Sequence, residues 1–204
     1  MKSPARVRGI SRRSWLLAGL TAPLFPARAA DPLNVHYDGD TIRVAPAAVH
    51  FLADKSLARL HDGASVAFIA QLDLLNEQRL SVRQQRARFV VSYAIWEETF
   101  SVTQLGKIPR TVDGLSAAAT EAWCFEGLVL STLGLPLDEY FWLRFEMRTG
   151  GPHDLEGDLP NGISIRTIID LLGRKKQVDD HWGPIEARMR LSDLHRIAGR
   201  GSRG

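Results

Sequence analysis

The sequence predicts a mainly β chain of the α+β kind: an antiparallel β-sandwich of about seven strands with two or three packed helices. Three observations predict it. From Ser65 to Leu105 apolar and polar residues alternate over successive segments, the period of strands with one buried face. Tyr140 to Arg148 alternates almost without fault, with Phe141, Leu143, Phe145 and Met147 on one face and Trp142, Arg144, Glu146 and Arg148 on the other. Helical spacing, by contrast, is confined to three short stretches.

The elements follow in order. Leu33 to Tyr37 and Asp40 to Val44 flank Asp38-Gly39 and read as a hairpin, because Asp-Gly tolerates the positive φ that a tight turn needs. Pro46 ends the second strand. Ala53, Leu57 and Leu60 fall at i, i+4 and i+7 with Gly63 as a stop, which predicts a helix over Ala48 to Asp62. Val66, Phe68, Ala70, Leu72 and Leu74 share one face of a strand, and Asn76 to Leu80 turns the chain. Ala87, Phe89, Val91, Tyr93 and Ile95 share the next strand's inner face, and Thr99 to Leu105 is Thr- and Val-rich. Glu97-Glu98 is poor hairpin chemistry, which leaves one bent, bulged strand as an alternative here.

Asp113 caps a second helix carrying Leu115, Ala118, Ala119, Ala122 and Phe125. Gly127 to Leu137 is apolar and ambiguous, and Gly150 to Gly162 is a loop. Ile165, Ile168, Ile169 and Leu172 make a third helix, stopped by Gly173 with Arg174, Lys175 and Lys176 at its negative end. That helix lacks interfacial Trp or Phe, so it is expected to pack on its own sheet rather than lie on a membrane. Ile185, Ala187, Met189 and Leu191 alternate in a last strand with Pro184 at its start, as an edge strand tolerates. No repeat or long linker divides the chain. Residues 30–198 are expected to form one β-rich domain and residues 199–204 a disordered tail.

The chain has 204 residues, of which 45% are hydrophobic and 24% charged, a composition that excludes a mainly disordered protein. Its formal charge of +3 is misleading. Residues 1–30 hold six of the 26 Lys and Arg (Lys2, Arg6, Arg8, Arg12, Arg13, Arg28) and no Asp or Glu. The remainder carries 20 basic against 23 acidic side chains, so the electrostatic footprint of a nucleic-acid binder is missing.

The basic segment reads as an address. Ser11-Arg12-Arg13-Ser14-Trp15-Leu16-Leu17 matches the twin-arginine export pattern. A weakly apolar run from Trp15 to Phe25 follows, interrupted by Gly19, Thr21 and Pro23, and Ala27-Arg28-Ala29 is a small-x-small cleavage site. The run falls short of the roughly 20 apolar residues of a transmembrane helix. Residues 1–29 are therefore expected to be a twin-arginine signal peptide, cleaved near Ala29, with a periplasmic or extracellular product that has no transmembrane helix. Cys124 is the single cysteine. No cysteine stands at the cleavage site for a lipid anchor, and no disulfide framework or multi-Cys zinc site can form. In its alanine-rich setting Cys124 reads as a buried, inert thiol.

One resemblance emerges from the order of parts. After a short strand pair a helix ends in a small-residue turn, Leu57-Ala-Arg-Leu-His-Asp-Gly63, two long strands join through an Arg-rich stretch from Gln78 to Arg88, and an aromatic-bearing segment runs from Tyr93 to Val102. After an Ala-rich helix, a strand that starts at Tyr140 ends in Arg148. Over Leu33 to Arg148 this resembles the bacterial exported proteins grouped as domain-of-unknown-function family 4390. Phe100-Ser-Val102 replaces the family's Tyr-x-Val, and Leu159-Pro160 stands downstream of its usual place. The resemblance implies an envelope location and a β-rich fold, and it supplies no catalytic residues.

The motifs of common chemistries are absent from the sequence. His36, His50, His61, His153, His181 and His195 form no HxH, HExxH or His-x3-His pair that would set two imidazoles on one side of an element. No G-x-S-x-G elbow, Walker loop or G-x-G-x-x-G occurs. The most chemical-looking segment, Gly151-Pro-His153-Asp154-Leu-Glu156-Gly157-Asp158, sets carboxylates at every second position but lacks the later bidentate Glu of a calcium loop. It reads as a solvated acidic loop. Arg79, Arg83, Arg86 and Arg88, with Arg174 to Lys176, are read as a solvated face, the alternative being contact with anionic lipid or an acidic partner.

No catalytic, cofactor-binding or metal-ligating residue is assigned, and no cofactor is expected. The expected function is that of a non-catalytic envelope module that binds a protein or peptide, accessory to a membrane complex or sensor. The alternative is an exported hydrolase or metal-assisted enzyme that uses the His153–Asp158 loop. A concave pocket with convergent His and carboxylates favours the enzyme, and an exposed apolar patch favours binding.

Overall fold

The computed structural model describes residues 32–151, 154 and 179–194. The export signal, the third helix, the Arg174–Lys176 cluster and the 199–204 tail all lie outside the described residues. Within them the order is β1 (Val35–Tyr37), β2 (Thr41–Val44), α1 (Asp54–His61), β3 (Val66–Leu75), β4 (Ser81–Ala94), β5 (Thr99–Leu105), β6 (Arg110–Leu115), α2 (Ala117–Glu126), β7 (Val129–Ser131), β8 (Tyr140–Gly150) and β9 (His181–Arg190). The chain is mainly antiparallel β. It forms a three-stranded sheet, β1-β2-β7, and a six-stranded sheet, β6-β5-β4-β3-β8-β9.

The period-two segments become the heart of the large sheet. β3 pairs with β4 from Val66↔Val91 to Leu75↔Ser81 and with β8 from Ala67↔Gly150 to Leu75↔Trp142. Phe68, Leu72, Leu74, Phe89, Val91, Leu143, Phe145 and Met147 are fully buried on one face. Ile42, Val44 and Leu130 of the small sheet, Leu60 of α1 and Phe125 of α2 belong to the same cluster. The result is a sandwich-like arrangement in which helices and small sheet cover one face of the large sheet. Phe51 joins the layers, with its ring centroid 4.7 Å from Phe68 and 5.8 Å from Phe125. β3 is buried on its second face too, so Asp73 is 7% exposed.

Several expectations are corrected. Nine strands stand among the described residues; the two that the sequence reading missed are β6 and β7. Asp113 lies in β6 and accepts a hydrogen bond from the Ser101 hydroxyl. The cap of α2 is Ser116, whose Oγ accepts from the Ala119 N–H at 3.2 Å. α1 begins at Asp54, not Ala48. The Leu52 N–H, which a longer helix would have turned to Ala48, is taken by the Glu121 carboxylate at 2.9 Å. β4 and β5 form a true hairpin, Ala94↔Thr99, because Glu98 adopts a left-handed φ of +53°.

The first hairpin also turns one residue later than predicted. The Asp38 N–H donates to the Thr41 carbonyl at 3.2 Å, so Gly39 and Asp40 are central, with Gly39 at φ +99°. The Asp38 carboxylate closes this turn by accepting from the Thr41 N–H at 3.1 Å and the Thr41 hydroxyl at 2.6 Å. β9 is an edge strand as expected, but Pro184 sits inside it, where the pairing with β8 shifts between Phe145 and Met147. A side chain at Gly183 would meet the Phe145 carbonyl at 2.8 Å, so the residue there has to be glycine.

Candidate functional site

One end of the large sheet gathers the start of β3, the end of β8, the start of β9 and the β4–β5 turn, as the registers Val66↔Val91, Ala67↔Gly150, Arg148↔His181 and Ala94↔Thr99 require. Helix α1 links its two sides. At its first turn the Ser56 hydroxyl donates to Asp180, just before β9, at 3.0 Å. At its last turn the His61 ring lies 4.4 Å from the Tyr93 ring of β4. Tyr93 in turn packs on Phe100 of β5 at 4.9 Å, so the stem of the β4–β5 hairpin is held by aromatic contacts on both sides. Beyond that stem the turn Ile95-Trp96-Glu97-Glu98 projects. Ile95 is 54% and Trp96 93% exposed.

The other side of α1 carries a polar cleft of about 280 Å³, lined by His50, Asp54, Lys55, Asp180, His181 and Trp182. Two imidazoles there are each backed by a carboxylate. His50 Nδ1 is 3.1 Å from Glu121 Oε2, while Glu121 Oε1 accepts the Leu52 N–H. His181 Nε2 is 2.8 Å from Glu146 Oε1, and Arg144 donates to Glu146 Oε2 at 3.2 Å. The bond from His181, with its charge and that of Arg144, holds the Glu146 carboxyl below its usual value. Asp180 is fixed through its backbone: its N–H donates to the Thr149 hydroxyl at 3.0 Å and its carbonyl accepts the Thr149 N–H at 2.9 Å. Asp54 takes a left-handed φ of +45° at the entrance to α1, a conformation that costs a non-glycine residue about 1–2 kcal/mol.

The cleft orients imidazoles, and among the described residues it brings them no free nucleophile. The Ser56 hydroxyl is committed to Asp180. Cys124 is buried, and burial, reinforced by Glu121, pushes its thiol well above the normal range, which leaves it inert. Among the described residues no three His, Cys, Asp or Glu side chains gather closely enough to hold a metal ion.

Of the acidic loop singled out in the sequence, His153, Glu156 and Asp158 lie outside the described residues. Asp154 is clamped: Arg148 donates to both its oxygens at 2.6 and 3.0 Å, the Gly151 N–H adds a third bond at 2.9 Å, and its carboxyl is pushed down to about 2. The basic stretch is also dispersed rather than presented as a patch. Arg79 pairs with Glu186 at 2.6 Å and lies 3.8 Å over Trp142, Arg83 donates to the Leu133 carbonyl at 3.3 Å, and Arg86 donates to Gln71 at 3.0 Å. Arg88 follows Arg86 at the next outward position of β4.

His50 and His181 line the cleft, His61 packs on Tyr93 and His36 lies on β1. His181 stands opposite Arg148, the residue that clamps Asp154, and His195 is outside the described residues. Sequence reasoning singled out neither the His50–Glu121 pair beside the cleft nor the exposed Trp96 of the β4–β5 turn. Glu121 had a signal: it is the lone carboxylate between Asp113 and Glu126, in an alanine-rich helix. A charge at such a place is stable only with partners. Comparison with family models, with curated proteins and with solved structures finds no match for this chain.

Proposed function

We propose that this is an exported envelope protein of periplasmic or extracellular location, and that it acts as a non-catalytic binding module on a β-sandwich scaffold. It docks by inserting the β4–β5 tip into an apolar pocket of a partner protein. The resemblance to family 4390 belongs to this reading. The observation that carries it is Trp96. Trp96, 93% exposed, and its exposed neighbour Ile95 make a contiguous apolar patch on a turn with a packed stem. Aromatic anchors of this kind dominate protein interfaces. The rigid stem adds to the affinity because little conformational freedom is lost on docking.

The hydrolytic alternative rests on the His153–Asp158 loop, of which only Asp154 is among the described residues. Hydrolysis in the cleft would instead need the His50–Glu121 and His181–Glu146 pairs to activate a water with no nucleophile or metal ligand set beside them among the described residues, and the exposed tip would then have no role. Site-specific photo-crosslinking separates the readings. A benzophenone side chain at position 96 of the full chain, expressed in its own envelope, is expected to yield a discrete protein adduct. The same group at Gln84, exposed on the large sheet away from this end, is expected to yield none. Absence of an adduct at 96, or the same adducts at both positions, would remove the docking reading.

A further inference from the structure

We propose that the partner of the Trp96 tip is a second copy of this chain, whose groove between the β1–β2 hairpin and α2 receives the indole; this rests on the docking reading above. The groove has a volume of about 210 Å³ and is lined by Val44, Ala122 and Phe125, with His36 and Arg43 on its strand side and Glu126 on its helix side. It is smaller than the roughly 300–1,000 Å³ clefts that hold drug-sized ligands. It is larger than the roughly 150 Å³ cavity that accepts benzene. A single indole suits its size and its apolar lining.

Charge sets the orientation. His36 and Arg43 stand directly opposite each other on β1 and β2. Glu97 and Glu98 follow Trp96 in the tip. Seating the indole with its glutamates toward the strand side gives them Arg43 and His36. The reverse orientation sets them against Glu126. Arg43 is free to exchange: its present partner, Asp38, is 3.6 Å away, and the two side chains are 54% and 40% exposed, a pairing that contributes little.

Tip and groove are different patches, so the contact is heterologous. Each copy offers both, and assembly closes into a ring or continues as an open chain. One aromatic anchor buries about 150–250 Å², far less than the roughly 1,200 Å² of a stable interface. Association is therefore weak, reversible and concentration-dependent.

Sedimentation velocity on the purified mature chain, taken up to millimolar concentration, tests this. The wild type is expected to self-associate reversibly. Trp96→Ala removes the knob and Ala122→Trp plugs the groove from an exposed position, so each alone is expected to lower association at least tenfold. An equimolar mixture of the two should form a 1:1 heterodimer and nothing larger, because one variant keeps the groove and the other keeps the tip. Arg43→Glu should weaken assembly, and adding Glu97→Arg and Glu98→Arg in the same chain should restore it. Unchanged circular dichroism and melting of each variant secure the comparison. A wild type that stays monomeric, or association indifferent to both Trp96→Ala and Ala122→Trp, overturns the proposal. Association that is lost with Trp96→Ala but survives Ala122→Trp sends the tip to another surface, which sinks the self-docking groove and leaves the docking reading standing. A crosslink from position 96 to a different protein has the same consequence.

Discussion

The residues that decide this end of the molecule act through partners far away in sequence. Glu121 holds His50 and the Leu52 N–H across 71 and 69 positions, and no local pattern reports such a pairing. Phe145, by contrast, was legible from its period, and it is fully buried. Phe145→Ala should cost about 3–5 kcal/mol in denaturant melts. Its neighbour Glu146 faces outward as the period predicts, but it binds His181 and Arg144, so Glu146→Ala should cost about 0.5–1 kcal/mol rather than nothing. Asp154 yields a pH test. Its folded carboxyl lies near 2, below its ordinary 3.8, so the clamp contributes stability above about pH 4 that is lost as the pH falls toward 2. After screening of its partly exposed pair, Asp154→Asn should destabilise by about 1 kcal/mol at pH 7. That gap should narrow between pH 4 and 2, and a gap constant with pH would place the effect elsewhere.

At the scale of elements, alternation was read well, whereas turn positions and boundaries set by tertiary contacts were not. The tip is the clearest case. Two glutamates argued against a hairpin, yet Glu98 accepts the left-handed backbone that closes it, because stacking of Tyr93 on Phe100 and His61 holds the stem. Trp96 is 93% exposed and bears no packing load, so Trp96→Ala should change the unfolding free energy by about 0.5 kcal/mol or less. The α2 cap is the converse. Asp113 was the obvious candidate from sequence, but β6 claims it for Ser101, and the cap falls to the next hydroxyl in the chain. Ser116→Ala should lose about 1 kcal/mol, with a matching drop in the helical signal.

At the scale of the whole molecule, the antiparallel β character was legible because long alternating strands and single-faced burial leave few other architectures. In the small sheet the β1–β2 hairpin was legible from its Asp-Gly turn, whereas β7, with three residues, is too short for a period to declare itself. The address is tested separately from the fold. Replacing Arg12 and Arg13 with Lys should leave full-length precursor in the cytoplasm on immunoblots of fractionated cells, and normal processing would assign export to the general secretory route. The two halves of the α1 end make the account's central claim decidable. Once the protein captured by the tip is in hand, its affinity should be measured for the wild type, for Trp96→Ala, and for His50→Ala with His181→Ala. The docking account predicts that Trp96→Ala loses about 2 kcal/mol or more, roughly thirtyfold in Kd, while the double histidine variant stays close to wild type. Binding that survives loss of Trp96 and falls with the two histidines would contradict it and move the functional centre into the cleft.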